Sequence, residues 1–223
     1  MKSVIFDMDG VITNTMPDHY RSWKTTFKEE GIRVTYEDIY KREGQPGLSS
    51  VIEIFTEHKK AFSKKEALKV LGKKETLFKK IVKTRFIAGA RTFLKRLHEK
   101  DIRLALVTGT SRHELRQILP ASLRNLFSVT VTGNEVKHGK PHPEPYLKSL
   151  QKLKVKASQA VVIENAPFGI RSAKQAGLKC LALETSLPKQ YLREADMIFS
   201  SIKELEEKAS FSMYSNMNRI KRL

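Results

Sequence analysis

Two carboxylates stand one residue apart at the end of an apolar run: Val4-Ile5-Phe6 leads into Asp7, Met8, Asp9 and Gly10. Such a run reads as a strand buried on both faces, which puts both acids at its carboxyl end. Close together and short of water, they repel each other and resist desolvation unless a cation lies between them. Magnesium suits such a pair, because it takes oxygen ligands and keeps waters that a phosphate can replace. A carboxylate can also act as the nucleophile and form an acyl phosphate. Taken alone, the pattern is equally that of a solvated turn.

Three further stretches have the same form. In "LVTGTSRHEL", Thr108 ends an apolar run, Gly109 follows, and Thr110 or Ser111 can cap a helix. A hydroxyl, free backbone N–H groups and a helix start make a phosphate cradle, although an ordinary helix cap looks the same. In "GKPHPEPY", Lys140 lies between a glycine and a proline. There it is either a surface lysine or the charge that offsets two carboxylates and a phosphate. In "VVIENAPFGI", an apolar run ends at Glu164 and Asn165, two oxygen-bearing side chains. Asn165 is also a good helix cap.

The elements that would position these residues are legible in outline. Short apolar runs at Ser3 to Phe6, Ile102 to Thr108, Val129 to Thr132, Ala160 to Glu164, Leu178 to Leu183 and Asp196 to Phe199 read as buried strands. Helical patterns alternate with them from about Ala88 onward. This predicts an α/β fold with a doubly wound parallel sheet. Residues 14–87 break the alternation. They are strand-poor and helical in pattern, and are inserted straight after the first strand. A helical block there sits over the crevice where such sheets bind ligands, the place for a lid. The expected organisation is a core of residues 1–13 and 88–223 with a helical cap of residues 14–87.

The four stretches, in this order and each at a strand end, resemble the four motifs of the haloacid dehalogenase superfamily. The helical insert resembles the cap of its β-phosphoglucomutase and phosphoglycolate phosphatase branch. The resemblance implies that Asp7 is the nucleophile, and that Asp9 is the general acid and then the base. Thr108, with the backbone of Gly109 and Thr110, would bind phosphoryl oxygens. Lys140 would stabilise the shared negative charge. Mg2+ would contact Asp7, the carbonyl of Asp9, and the motif at Glu164 and Asn165. The superfamily usually has an aspartate where this chain has Asn165, so one metal ligand lacks its charge.

The first cap stretch, "DHYRSWK", resembles that of β-phosphoglucomutases, with His19 assisting cap closure and Trp23 following; a helix with one exposed histidine reads the same. Mutases of this kind also carry an arginine that grips a second phosphate, and Gly47 stands in its place here. Arg42 is the candidate to substitute for it in substrate binding. The expected activity is therefore hydrolysis of a small phosphorylated metabolite, a phosphosugar or phosphoglycolate-like compound. A β-phosphoglucomutase-type transferase and a catalytically weak binding protein with a basic surface are the alternatives. Asp9 argues against a dehalogenase. A phosphonate hydrolase would need a cap lysine in the site, which the sequence does not single out.

The chain has 223 residues and a formal net charge of +18. Its basic residues are spread along the whole length, and those of "KKEALKVLGKKETLFKK" read as a solvated helix face. No helix-turn-helix, zinc-finger or RNA-binding aromatic pattern accompanies them, so nucleic acid is not the expected partner. A basic surface still draws anionic substrates. No apolar run approaches the roughly 20 residues of a membrane span. The N-terminus lacks a secretory pattern, and the chain is read as cytoplasmic. Cys180, the lone cysteine, reads as an inert core thiol. The basic C-terminal stretch reads as loosely attached.

Overall fold

The computed structural model describes residues 2–209; the basic C-terminal stretch lies outside them. In chain order the elements are β1 (Ser3–Phe6), α1 (Met16–Glu29), α2 (Tyr36–Tyr40), α3 (Gly47–Glu57), α4 (Lys64–Ile81), α5 (Ala90–Glu99), β2 (Arg103–Val107), α6 (Arg112–Ile118), α7 (Ala121–Arg124), β3 (Phe127–Val131), α8 (Glu144–Leu153), β4 (Ala160–Glu164), α9 (Pro167–Gln175), β5 (Lys179–Leu183), β6 (Met197–Phe199) and α10 (Ile202–Lys208). The strands form one sheet in the order β3-β2-β1-β4-β5-β6, and each neighbouring pair is parallel. This is the doubly wound arrangement expected from the alternating pattern.

Side chains alternate across the sheet, because successive strand residues point to opposite faces. Val4, Phe6, Leu104, Leu106 and Ile163 join Phe93 and Leu97 of α5 and Leu205 of α10 on one face. Ile5, Ala105, Val107, Val162 and Cys180 meet Tyr146 and Leu150 of α8 and Ile170 of α9 on the other. Both faces are covered, which is why the strands read as continuous apolar runs. Cys180 is fully buried, and burial pushes its thiol well above the ordinary value, in keeping with an inert thiol.

The order reverses at β1, whose neighbours are β2 and β4. Open sheets bind ligands beside such a reversal, at the carboxyl ends of the strands. The stretches of Asp7, Thr108 and Glu164 end there, and the loop before α8 brings Lys140 to them.

Between β1 and α5 lie α1 to α4, with a hydrophobic cluster of their own that includes Trp23, Phe27, Ile54, Phe55 and Val70. Capping boxes start α2 (Thr35 with Asp38) and α4 (Ser63 with Glu66). The two chain segments that enter and leave this block run side by side. The Asn14 N–H donates to the Arg85 carbonyl, the Ile87 N–H donates to the Ile12 carbonyl, and Thr13 bridges Phe86. Arg85 also reaches the buried Asp18 carboxylate at 2.6 Å. Among the described residues, no helix is long and apolar enough to cross a membrane.

Candidate active site

Asp7 continues the β1 ladder by one residue, its N–H donating to the Ile163 carbonyl of β4 at 3.0 Å. That bond fixes where its carboxylate emerges. Lys140, in the loop before α8, is 2% exposed. Its ammonium donates to Asp7 Oδ1 at 2.6 Å and to Glu164 Oε1 at 2.7 Å. The Tyr146 hydroxyl donates to the same Glu164 oxygen at 3.0 Å. The other Glu164 oxygen accepts the N–H groups of Asn165 and Ala166 at 2.8 and 3.1 Å. Gly169 lets α9 pack this closely, since a Cβ there would lie 1.7 Å from Glu164 Oε1. Burial opposes the Lys140 charge, but Asp7 and Glu164 outweigh it and hold the ammonium above the ordinary lysine value. Burial pushes the Asp7 carboxyl well above its ordinary value; Lys140 pulls it back, while Glu164 and Asp9 add to the rise. Ionised Asp7 therefore calls for more positive charge than Lys140 alone supplies.

Asp9 has a different surrounding. Its Oδ1 accepts a short hydrogen bond from the Thr15 hydroxyl, and its Oδ2 accepts one from Thr110 at 3.2 Å. His19 Nε2 approaches Oδ1 at 3.8 Å. Burial alone would raise the Asp9 pKa, but His19, Thr15 and Thr110 outweigh it and hold it below the ordinary value. His19 is 8% exposed and stacks on Phe78 with ring centroids 4.1 Å apart. On its far side Nδ1 meets the Lys74 ammonium at 3.2 Å. Lys74 is 9% exposed and lies over the rings of Trp23 and Phe78; burial lowers its pKa. Glu43 completes the group, its carboxylate within 4.8 Å of the polar atoms of Asp9 and His19.

Thr108 follows β2 and is buried. Its hydroxyl accepts the Thr110 N–H at 3.1 Å, while Thr110 turns its own hydroxyl to Asp9. Ser111, not Thr110, caps α6. The Thr110 N–H, expected to face a phosphoryl oxygen, is thus held by Thr108, so a phosphate would have to displace that bond.

Asn165 sits across from Gly10. Its Nδ2 donates to Ser186 Oγ at 2.8 Å, which leaves Oδ1 buried with no partner. Gly10 is required here: its φ is +87°, and a Cβ would lie 2.1 Å from Asn165 Nδ2. An orphaned buried oxygen just past β4, the strand beside β1 that leads into Asp7, fits a hard cation such as magnesium. Glu164 fits less well as a ligand, because both its oxygens are already occupied.

The structure brings together Asp7, Asp9, Thr108, Gly109, Thr110, Lys140, Glu164, Asn165 and His19. Arg42 does not serve as expected. It borders the cavity, but Nε donates to Glu53, Nη1 to the Asp38 carbonyl and Nη2 to Glu57, so its charge is spent within the helical block. The reading of the α4 lysines as a solvated face also needs correcting, because Lys74 lies on the buried stripe of Ala67, Val70 and Phe78. That spacing was visible in the sequence. Thr15, Glu43, Tyr146 and Ser186 were also missed; Tyr146 lies six residues after Lys140 in the same stretch, whereas the others carry no local signal.

Comparison with known proteins identifies the family and the fold. A phosphorylated carbohydrates phosphatase of Thermotoga maritima is 35% identical over 80% of this chain and 83% of its own. Hexitol phosphatase A of Escherichia coli is 27% identical over 92% of this chain and 93% of its own. The crystal structure of β-phosphoglucomutase from Clostridium difficile shares the fold, with a TM-score of 0.79 at 23% identity over 92% of this chain and 93% of that one. The model of the haloacid dehalogenase-like hydrolases matches residues 4–183, and the chain belongs to that family.

Proposed function

We propose that the chain is a magnesium-dependent phosphatase of small phosphorylated metabolites, working through a phosphorylated Asp7. The observation that carries this reading is the buried Lys140 ammonium, bonded at once to Asp7 and to Glu164 at the reversal point of the sheet. The named relatives support it, since the two curated ones are phosphatases of phosphorylated carbohydrates and hexitols.

Asp7 attacks phosphorus in line, and the ester P–O bond breaks. Asp9 gives a proton to the leaving oxygen. A phosphoryl dianion entering beside Asp9 raises its proton affinity, which suits this half of the cycle. Asp9 then takes a proton from the water that attacks the acyl phosphate. The bonds from Thr15, Thr110 and His19, which favour its carboxylate, suit that second half. Lys140 and Thr108 hold the charge developing on the phosphoryl oxygens, where one well-placed donor is worth about 10²–10³ in rate. Glu164 and Tyr146 keep Lys140 aimed. Asp7, the Asp9 carbonyl and Asn165 Oδ1 would hold Mg2+, which neutralises charge on the phosphoryl group when bound.

A mutase must also grip a second phosphate. At Gly47 the space beside the backbone is filled by Leu71, whose Cδ1 lies 2.6 Å from where a Cβ would be, and Arg42 is committed elsewhere. This supports hydrolysis over transfer. The test is phosphate release from p-nitrophenyl phosphate with magnesium, by the native chain and by Asp7→Asn. The variant should be inactive, and equal rates would remove the reading. Accumulation of glucose 6-phosphate from β-glucose 1-phosphate with a bisphosphate primer would favour the mutase instead.

A further inference from the structure

The cavity between the helical block and the strand ends has a charge balance that runs against the molecule as a whole. The chain carries a net +18, yet Glu43, Glu75 and Glu114 all line this cavity, Glu114 being paired with Lys79 at 3.7 Å. Arg42, also at its edge, is neutralised by Glu53 and Glu57. Lys74 is the cation left facing the space, and it is already engaged with His19. An anion drawn in by the surface therefore meets, beyond the phosphoryl end, one cation that His19 and the carboxylates around it already engage.

Glu43 is the acid best placed to act on a substrate. It follows α2, is partly buried, and among the described residues its carboxylate has no hydrogen bond and no ion pair, only longer-range interactions with groups such as Lys74 and Tyr40. A carboxylate in that state has acceptor capacity to spare. It lies within 4.8 Å of the Asp9 and His19 polar atoms. In the phosphatase reading, Asp9 protonates the oxygen that leaves with the alcohol. Glu43, on the cavity wall within 4.8 Å of Asp9, is therefore within reach of the groups carried next to that oxygen.

We propose that Glu43 sorts leaving groups by charge: it accepts a hydroxyl on the carbon next to the phosphate ester and turns away a carboxylate or second phosphate there. A hydroxyl donates to the Glu43 carboxylate, forming a charge-assisted bond. An anion at the same place meets like charge in a half-desolvated cavity. The substrates selected are thus monophosphates of neutral polyols and sugars. A phosphoglycolate-like substrate, one of the two classes expected from the sequence, is excluded.

This inference rests on the phosphatase reading, and one substrate pair separates the two. 2-Hydroxyethyl phosphate and phosphoglycolate differ only in a terminal hydroxymethyl against a carboxylate. The ratio of their kcat/KM values is taken within each enzyme, so the amount of folded protein cancels, and p-nitrophenyl phosphate monitors the chemical step. The native chain should favour the hydroxyethyl ester by about 10-fold or more, Glu43→Gln should bring the ratio close to one, and Glu43→Lys should invert it. A native preference for phosphoglycolate, or a ratio that stays within about threefold of native in both variants, overturns the proposal. Absence of turnover of all three esters by the native chain removes the phosphatase reading, and the proposal with it.

Discussion

Asn165 supplies a neutral oxygen at the carboxyl end of β4, held in place by its amide bond to Ser186. A hydroxyl can donate as well as accept, so Ser186 can serve an aspartate at this position without rearrangement. Asn165→Asp therefore adds one negative charge at the orphaned acceptor with little change of shape. It should tighten magnesium binding about tenfold, read by titration calorimetry without substrate. An unchanged affinity would show that this side chain does not touch the ion. The neighbouring Glu164 behaves otherwise. Both its oxygens are taken by Lys140, Tyr146 and two backbone N–H groups, so its part is to hold the ammonium beside Asp7. In the proposed reading, adjacent residues at one strand end thus divide two tasks, and the sequence alone could not say which did which.

Helix α4 shows how one element carries both structure and site. Its buried stripe of Ala67, Val70, Lys74 and Phe78 has an ammonium where a core needs an apolar group. Burial makes that ammonium costly, and the carboxylates around it offset only part of the cost. Lys74→Met keeps the length and removes the charge. It should raise stability by about 1 kcal/mol, or roughly 2–4 °C in Tm for a domain this size, and lower kcat/KM about tenfold as His19 loses its partner. A variant with unchanged turnover would show that Lys74 serves packing alone. Helical periodicity located the helix, and the same periodicity placed Lys74 inside, where charge alone suggested solvent. The strands were legible to within two residues because both faces of the sheet are covered. The directions of side chains on α1 to α4 were not, since they depend on how these helices pack against one another and over the core. Arg42 shows the limit: its place beside the cavity was foreseeable, but its capture by Glu53 and Glu57 depends on α3 packing against it.

At the scale of the whole molecule, residues 133 positions apart meet because the order β3-β2-β1-β4-β5-β6 brings three strand ends to one crevice. Four stretches, each ambiguous alone, become one site because three lie at carboxyl ends around the reversal and the loop before α8 carries Lys140 to them. That convergence was legible from their order along the chain, whereas the acidic lining of the cavity was hidden behind a strongly basic composition. The reading turns on Asp7 taking the phosphoryl group, and it can be tested by stalling the second half of the cycle. In Asp9→Asn the general base is missing, so an intermediate formed with an activated ester such as acetyl phosphate should persist long enough to trap. Mass spectrometry of the quenched, digested protein should then find one phosphoryl group, confined to the peptide holding Asp7 and absent when Asp7→Asn is added. A phosphoryl group on any other residue, or none at any time while phosphate is still released, would contradict covalent catalysis by Asp7.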